Sequence, residues 1–123
     1  MLFILNVPAE FTTMAGRRLR AAIDDVLAAH GITDNEVVIA GLANSYTHYV
    51  TTIEEYAGQR YEAASTLYGP HTLSAYMQEF RRLTNDMFEG NPSHSDEPPQ
   101  NLEAKQISLI LPPGIDRGRH VRG

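Results

Sequence analysis

The chain has 123 residues, with 10 lysines and arginines against 15 aspartates and glutamates, and it contains no cysteine. A chain of this length suits a single domain. The absence of cysteine excludes disulfide scaffolds, thiolate metal sites and cysteine nucleophiles. A net charge of -5 disfavours binding to nucleic acid, because proteins that bind the phosphate backbone usually concentrate lysine and arginine. We therefore expect no nucleic-acid partner, and any metal must be held by histidine, carboxylate or tyrosine side chains.

The N-terminal part of the chain predicts a βαβ unit. A nearly continuous apolar run at residues 2–7 predicts a buried strand. Apolar residues at helical spacing then predict a helix, with Thr12 or Thr13 as its N-cap and Gly31 just beyond its end. A second apolar run at 37–42 predicts the second strand.

Functional residues are expected at one edge of this unit. The connection is almost always right-handed with parallel strands, so the carboxyl ends of both strands lie on the same side. Open α/β sheets bind ligands at that edge, where one loop carries Glu10 and the other carries residues 46–49. Two simpler readings stay open. An acidic residue near a helix N-terminus is favoured by the helix dipole, and tyrosines in such a loop often serve packing.

The rest of the chain predicts one long helix and a polar connection. Apolar residues repeat every three or four positions from Leu73 to Met87, which is typical of an amphipathic helix. Residues 89–104 predict a flexible linker, and residues 105–123 a terminal strand and tail. The fold class is therefore α/β, with a partial mixed sheet built on the βαβ unit and flanked by helices.

Three segments of the sequence are distinctive: VPAEFTTMAGRRLR at 7–20, GLANSYTHYVTT at 41–52 and EEYAGQRYEAASTLYGPHTL at 54–73. Together they resemble the neutral ceramidases, zinc-dependent amidases that hydrolyse N-acylsphingosine (ceramide) to sphingosine and a fatty acid. The resemblance covers residues 2–88 closely and residues 107–116 more loosely. It implies that residues 1–123 are the C-terminal segment of a ceramidase-like catalytic domain, with 1–88 as the well-matched part, and that they form an incomplete piece of that domain.

The resemblance also implies site residues. It places zinc-ligating side chains at Glu10 and Tyr49, and a catalytic tyrosine that donates to the reacting amide or its oxyanion at Tyr61. Carboxylate and phenolate oxygens suit zinc alongside imidazoles. The family's histidine ligands and its catalytic serine, which lies in an Asn-x-Gly-Asp-x-Ser-Pro-Asn segment, belong to an upstream region that this sequence does not contain.

The sequence departs from the family at Ala9, where glycine is usual. A positive φ there would strain the loop and displace Glu10.

Two functions follow from these observations. The first is ceramide hydrolysis as part of a complete catalytic domain, with zinc as cofactor, a sphingolipid substrate, and an extracellular or cell-surface setting close to a membrane. The second is a truncated, non-catalytic relative that binds a protein or lipid. An unrelated acidic α/β protein is a third reading. In either of the first two cases, an incomplete sheet is expected to leave apolar surface exposed.

Overall fold

The computed structural model describes residues 1–91, which form two small parallel sheets and four helices. The elements in chain order are β1 (Leu2–Asn6), β2 (Glu10–Phe11), α1 (Thr13–Ala29), β3 (Glu36–Ala40), β4 (Tyr49–Val50), α2 (Ile53–Ala57), α3 (Tyr61–Ala64) and α4 (Thr72–Glu89). The predicted terminal strand and tail at 105–123 lie outside the described residues, as does the predicted linker from residue 92 onward.

The predicted βαβ unit is confirmed. Strands β1 and β3 pair in parallel, with Leu2 opposite Glu36 at one end, and α1 connects them. The Thr12 side chain caps α1 by accepting a hydrogen bond from the Ala15 N–H at 3.2 Å. At the other end, Gly31 takes a φ of 78°, which closes the helix at the predicted place.

The prediction of a mixed sheet is wrong for residues 1–91, because both strand pairings in this part of the chain are parallel and belong to separate sheets. The Val7 N–H still donates to the Ala40 carbonyl at 3.0 Å, but Pro8 has no N–H to continue the ladder. Pairing resumes at Glu10 with a new partner strand, β4.

The main core lies between the β1–β3 sheet and helix α1. Its buried members are Leu5, Val7, Leu19, Ile23, Leu27 and Val37. Helix α4 packs against α1 and contributes Met77 and Phe80 to the edge of this core. A second cluster joins Ala9, Ala15, Val50 and Leu73. The second cluster supports β2 and β4, the strands that carry the predicted metal ligands.

Two of the helices after β4 carry a recognisable signal at one end. Helix α2 starts with a reciprocal capping box between Thr52 and Glu55, and α4 ends at Gly90 with a φ of 71°. Within residues 1–91, no helix combines the length and the apolar character that crossing a bilayer requires.

The face of the β1–β3 sheet that points away from α1 is open. Leu2, Ile4 and Val38 are 60%, 57% and 41% exposed there. Parallel sheets are normally covered on both faces, so this surface, which we call the open sheet face, has the composition of a buried one.

Truncation of the α1 core is expected to destabilise the chain. Leu19 is fully buried, so Leu19→Ala should lower the free energy of unfolding by about 2–5 kcal/mol through lost burial and the cavity left behind. Leu67, which is 60% exposed, provides the matched control, and Leu67→Ala should have little effect. Urea denaturation followed by circular dichroism measures both. Equal losses in the two variants would contradict this description of the core.

The open sheet face is expected to drive self-association of the chain. Ile4→Thr keeps a β-branched residue but removes apolar surface, so it should weaken concentration-dependent association in sedimentation experiments while leaving the circular dichroism spectrum unchanged. Leu67→Thr, at an exposed position outside this sheet, is the control. Association reduced equally by both variants would show that a different surface is responsible.

Candidate metal and amidase site

The pairing of β2 with β4 brings the two predicted metal ligands together. Glu10 lies directly opposite Tyr49 in the parallel register. Backbone bonds flank the pair, since the Glu10 N–H donates to the His48 carbonyl and the Thr12 N–H donates to the Val50 carbonyl, each at 3.0 Å. Residues opposite each other in a sheet direct their side chains to the same face, so a carboxylate and a phenol share one surface.

Hydrogen bonds set the charge of this surface. Tyr49 lowers the pKa of Glu10 most by hydrogen bonding to its carboxylate, and Tyr46, whose hydroxyl donates to Glu10 Oε1 at 2.7 Å, lowers it further. The bond to Glu10 in turn raises the pKa of Tyr49 to about 12. At neutral pH, Glu10 is therefore anionic and Tyr49 is a protonated donor.

Tyr61 joins this pair at the start of α3. Its ring lies 5.6 Å from the Tyr49 ring, centroid to centroid, at 80°, an edge-to-face arrangement. Helix α3 is tied to β4 because the Tyr49 N–H donates to the Ser65 carbonyl at 3.2 Å. The structure thus brings the half-buried Glu10 and Tyr49 together with the exposed Tyr61.

The helices that follow β2 and β4 are joined through one carboxylate. Glu55 Oε2 accepts a hydrogen bond from the Thr12 hydroxyl at 2.7 Å and another from the Thr52 N–H at 2.8 Å. Burial raises the pKa of Glu55, but these hydrogen bonds outweigh it and the pKa is lowered. Because Thr12 also caps α1, the first turns of α1 and α2 are held in a fixed relation beside the site.

An ion pair adds a second connection between these helices. Arg18 on α1 donates hydrogen bonds from both terminal nitrogens to the Glu54 carboxylate on α2, at 2.8 and 3.1 Å. The hydrogen bonds from Arg18 lower the pKa of Glu54 to about 2. A cleft of about 730 Å³ opens between these helices and Tyr49, and its walls include Thr12, Glu54, Glu55, Arg60 and Glu62.

The sequence names Tyr46 as a candidate among residues 46–49, but its bond to Glu10 and the contacts of Glu55 were not predicted. Tyr46 belongs to the tyrosine cluster that the sequence singles out, but nothing in its spacing indicates a bond to Glu10. The contact of Glu55 with Thr12 joins segments far apart in the chain. The capping box of Glu55 with Thr52 is different, since its Thr-x-x-Glu spacing is visible in the sequence.

Ala9 does not strain the loop before Glu10. It is absent from the residues with positive φ in the described part of the chain, and its side chain is fully buried in the second core cluster. The left-handed conformations fall instead on Leu42, Asn44 and His48 in the neighbouring loop, with φ values of 56°, 63° and 66°.

The surface offers two oxygen donors of the kind that zinc accepts. Glu10 supplies an ionised carboxylate, and Tyr49 a phenol directly opposite it in the register of β2 and β4. Among residues 1–91, no group of three histidine, cysteine, aspartate or glutamate side chains is arranged to hold a metal ion. Glu10 and Tyr49 therefore fit as part of a zinc ligand set, and further ligands are needed to complete it.

The chain belongs to the neutral/alkaline non-lysosomal ceramidase family, since the model of that family's N-terminal domain matches residues 1–78. Among curated relatives, it is 58% identical over 113 residues to neutral ceramidase 3 of Arabidopsis thaliana and 51% identical over 108 residues to neutral ceramidase of Drosophila melanogaster. These matches include 90% and 88% of this chain, and 15% of each relative. The chain thus spans about 15% of the length of these relatives.

Solved ceramidase structures share the fold as well as the sequence. Neutral ceramidase from Pseudomonas aeruginosa superimposes with a TM-score of 0.77 and 45% identity over 86% of this chain and 16% of that one. A ceramidase complexed with C2 gives the same TM-score and 44% identity over 89% of this chain and 17% of that one. The α/β arrangement of residues 1–91 therefore corresponds to a piece of a larger domain.

The ion pair between α1 and α2 is expected to be visible in a pH titration. Arg18→Met removes the cation, so the pKa of Glu54 should rise from about 2 toward its ordinary value of 4.5. A pKa that is lowered by folding adds stability above the unfolded value and loses it as the pH falls from about 4.5 to 2, and this acid sensitivity should shrink in the variant. Carboxyl carbon shifts in NMR measure the change, and Arg17→Met is the control.

Proposed function

We propose that the chain contributes to a zinc-dependent site that hydrolyses N-acylsphingosine to sphingosine and a fatty acid. The observation that carries the proposal is the placement of Glu10 opposite Tyr49, with the Tyr61 ring packed against Tyr49, in a member of the ceramidase family. The remaining ligands, expected to be histidines, and the catalytic serine would come from other parts of a larger catalytic domain.

Glu10 and Tyr49 are assigned as zinc ligands in this proposal. The lowered pKa of Glu10 favours the charged form of its carboxylate, and the register of β2 and β4 places Tyr49 directly opposite it. Zinc, when bound, would polarise the amide carbonyl and activate water. The chain's own contribution is to hold two oxygen ligands in register through a backbone pairing rather than through flexible loops.

Tyr61 is assigned as a donor to the amide carbonyl oxygen as negative charge develops there. The residue is 71% exposed, which leaves the side chain accessible to a substrate. Edge-to-face contact with Tyr49 limits the directions in which the ring can point. A donor positioned before the reaction stabilises the transition state without reorganising, and this is the usual source of its catalytic effect.

Two observations support the proposal that this chain works as part of a larger catalytic domain: the open sheet face, and the small share of each relative that the chain matches. Leu2, Ile4 and Val38 form a surface of the kind that a parallel sheet buries, and the solved relatives are about six times longer than the region matched here. The resemblance to the ceramidases adds an extracellular or cell-surface setting, close to a membrane, to this proposal.

A non-catalytic binding module is the second candidate. Leu67 and Tyr68 follow α3 and are 60% and 72% exposed, so this stretch presents apolar surface that a protein or lipid could cover. Tyr68 also serves as the control for Tyr61 in the chimera experiment, because the two tyrosines are equally exposed.

A chimera tests the proposal in a complete enzyme. The matched segment of Arabidopsis thaliana neutral ceramidase 3 would be replaced by this chain, and hydrolysis of a fluorescent ceramide measured with bound zinc. We expect turnover. Glu10→Gln or Tyr49→Phe should lower both zinc content and activity, whereas Tyr61→Phe should lower kcat about 100-fold at unchanged zinc content because only a transition-state donor is lost.

Tyr68→Phe in the same chimera should leave zinc content and kcat unchanged. The 123-residue chain alone, with zinc added, should show no turnover, because its described residues provide only two of the proposed ligands. A folded chimera that binds ceramide but does not hydrolyse it would favour the binding module. If the 123-residue chain alone hydrolysed ceramide and lost this activity in Glu10→Ala, the proposal that further zinc ligands come from other parts of a larger domain would be refuted.

A further inference from the structure

We propose that Tyr46 is a positioning residue that fixes the Glu10 carboxylate, engaging one oxygen so that the other is presented to a cation. The inference rests on the proposed function, because it assigns Glu10 as a ligand. It adds a residue that neither the sequence nor the resemblance singles out for this role.

The contact itself is specific. The Tyr46 hydroxyl donates to Oε1 of Glu10 at 2.7 Å, a short distance typical of a hydroxyl bonded to an ionised carboxylate. The terminal torsion of a glutamate is otherwise broad, so a partly exposed carboxylate samples many orientations. A bond to one oxygen selects among these orientations. Such bonds behind a ligand are a regular feature of metal sites, where they orient the ligand and raise affinity.

Thr47 fixes the backbone that carries Tyr46. Its N–H and its hydroxyl both donate to the carbonyl of Pro8, each at 2.7 Å. Its hydroxyl also lies 3.2 Å from the hydroxyl of Tyr76 on α4. The residue after Tyr46 is therefore anchored to the residue two before Glu10, so the donor and the carboxylate belong to one connected backbone unit.

The loop from residue 41 to residue 48 adopts a conformation that has a cost. Leu42, Asn44 and His48 all have φ between 56° and 66°, a region that residues with a Cβ rarely occupy. Bonds from the Leu42 N–H to the Ala9 carbonyl and from the Ala43 N–H to the Val7 carbonyl, at 3.3 and 2.9 Å, hold the loop against the β1–β2 connection. Strain of this kind is often found where a loop must place a functional group.

Packing does not account for Tyr46. Its side chain is 49% exposed, and the ring contact that the loop provides is with His48, at 5.1 Å between centroids. Removing the hydroxyl alone should leave that ring contact in place. Tyr46→Phe therefore separates the hydrogen bond to Glu10 from any role of the ring in holding the loop.

The test uses the chimera described above and zinc as the probe. A chromophoric chelator in competition gives the zinc dissociation constant for the parent, Tyr46→Phe, Glu10→Ala and the double variant. We expect Tyr46→Phe to weaken zinc binding about 10- to 100-fold, the usual effect of losing a residue behind a metal ligand. In the Glu10→Ala background it should have no further effect, because Tyr46 acts through Glu10.

The outcomes separate this inference from the proposed function. If Glu10→Ala leaves the zinc affinity unchanged, the proposed site itself is wrong. If Glu10→Ala weakens zinc binding and Tyr46→Phe does not, only the role of Tyr46 is overturned. An equal loss from Tyr46→Phe with and without Glu10 would mean that Tyr46 acts independently. Tyr68→Phe is the matched control and should change nothing.

A second measurement needs no metal. In the 123-residue chain, NMR relaxation and couplings of the Glu10 side chain report how many orientations it samples. Tyr46→Phe should increase the number of orientations that the Glu10 side chain samples even with Tyr49 in place, while Tyr68→Phe should not. Relaxation and couplings of Glu10 that are the same in Tyr46→Phe as in the parent would overturn the inference even where zinc binding is too weak to measure.

Discussion

The short parallel pairing of β2 with β4 is the interaction on which the rest of the site depends. It sets Glu10 opposite Tyr49, and the chain leaves each strand directly into a capped helix start at Thr12 or Thr52. A pairing of two residues has little stability of its own. It persists because Val50 is buried beneath it and because the hydrogen bonds of Thr47 hold the incoming loop in place. The geometry of this small sheet is therefore set by the packing of Val50 and by the hydrogen bonds of Thr47.

The conformational cost of the site is distributed unevenly. The segment that leads into β2 is unstrained, since Ala9 does not have a positive φ and its methyl group packs in the cluster that contains Val50. The loop before β4 is strained, since it contains residues in the left-handed conformation, and it places the rings of Tyr46 and His48 next to Glu10. Glycine is therefore not required before Glu10, whereas the loop from residue 41 to residue 48 is where substitutions would alter the backbone most.

Local signals made most of the fold predictable. Caps at Thr12 and Gly31 and a long apolar repeat are enough to define α1, and the same holds for the α4 repeat, because each signal lies within the element itself. Strands β2 and β4 are too short for any periodicity and exist only through pairing between distant segments. For the site, the predicted βαβ unit places functional residues in the two loops at one edge of the sheet. Within and near these loops, the resemblance to the ceramidases indicates Glu10, Tyr49 and Tyr61 as site residues. The roles of these three residues stay predictions. The Tyr46 bond depends on the conformation of a loop, which no residue pattern encodes.

The sharing of Glu55 between two helix starts has an electrical consequence. The exposed N–H groups at the beginning of a helix carry a partial positive charge, and α1 and α2 both begin beside this carboxylate. One negative side chain therefore balances two positive helix ends, while Arg18 balances Glu54 next to it. Two of the acidic residues that line the cleft beside Tyr49 are already neutralised from within the protein. Glu10 accepts its hydrogen bond from the hydroxyl of Tyr46, which leaves the carboxylate with its negative charge, so a cation approaching this surface is attracted toward the residue that is placed to bind it.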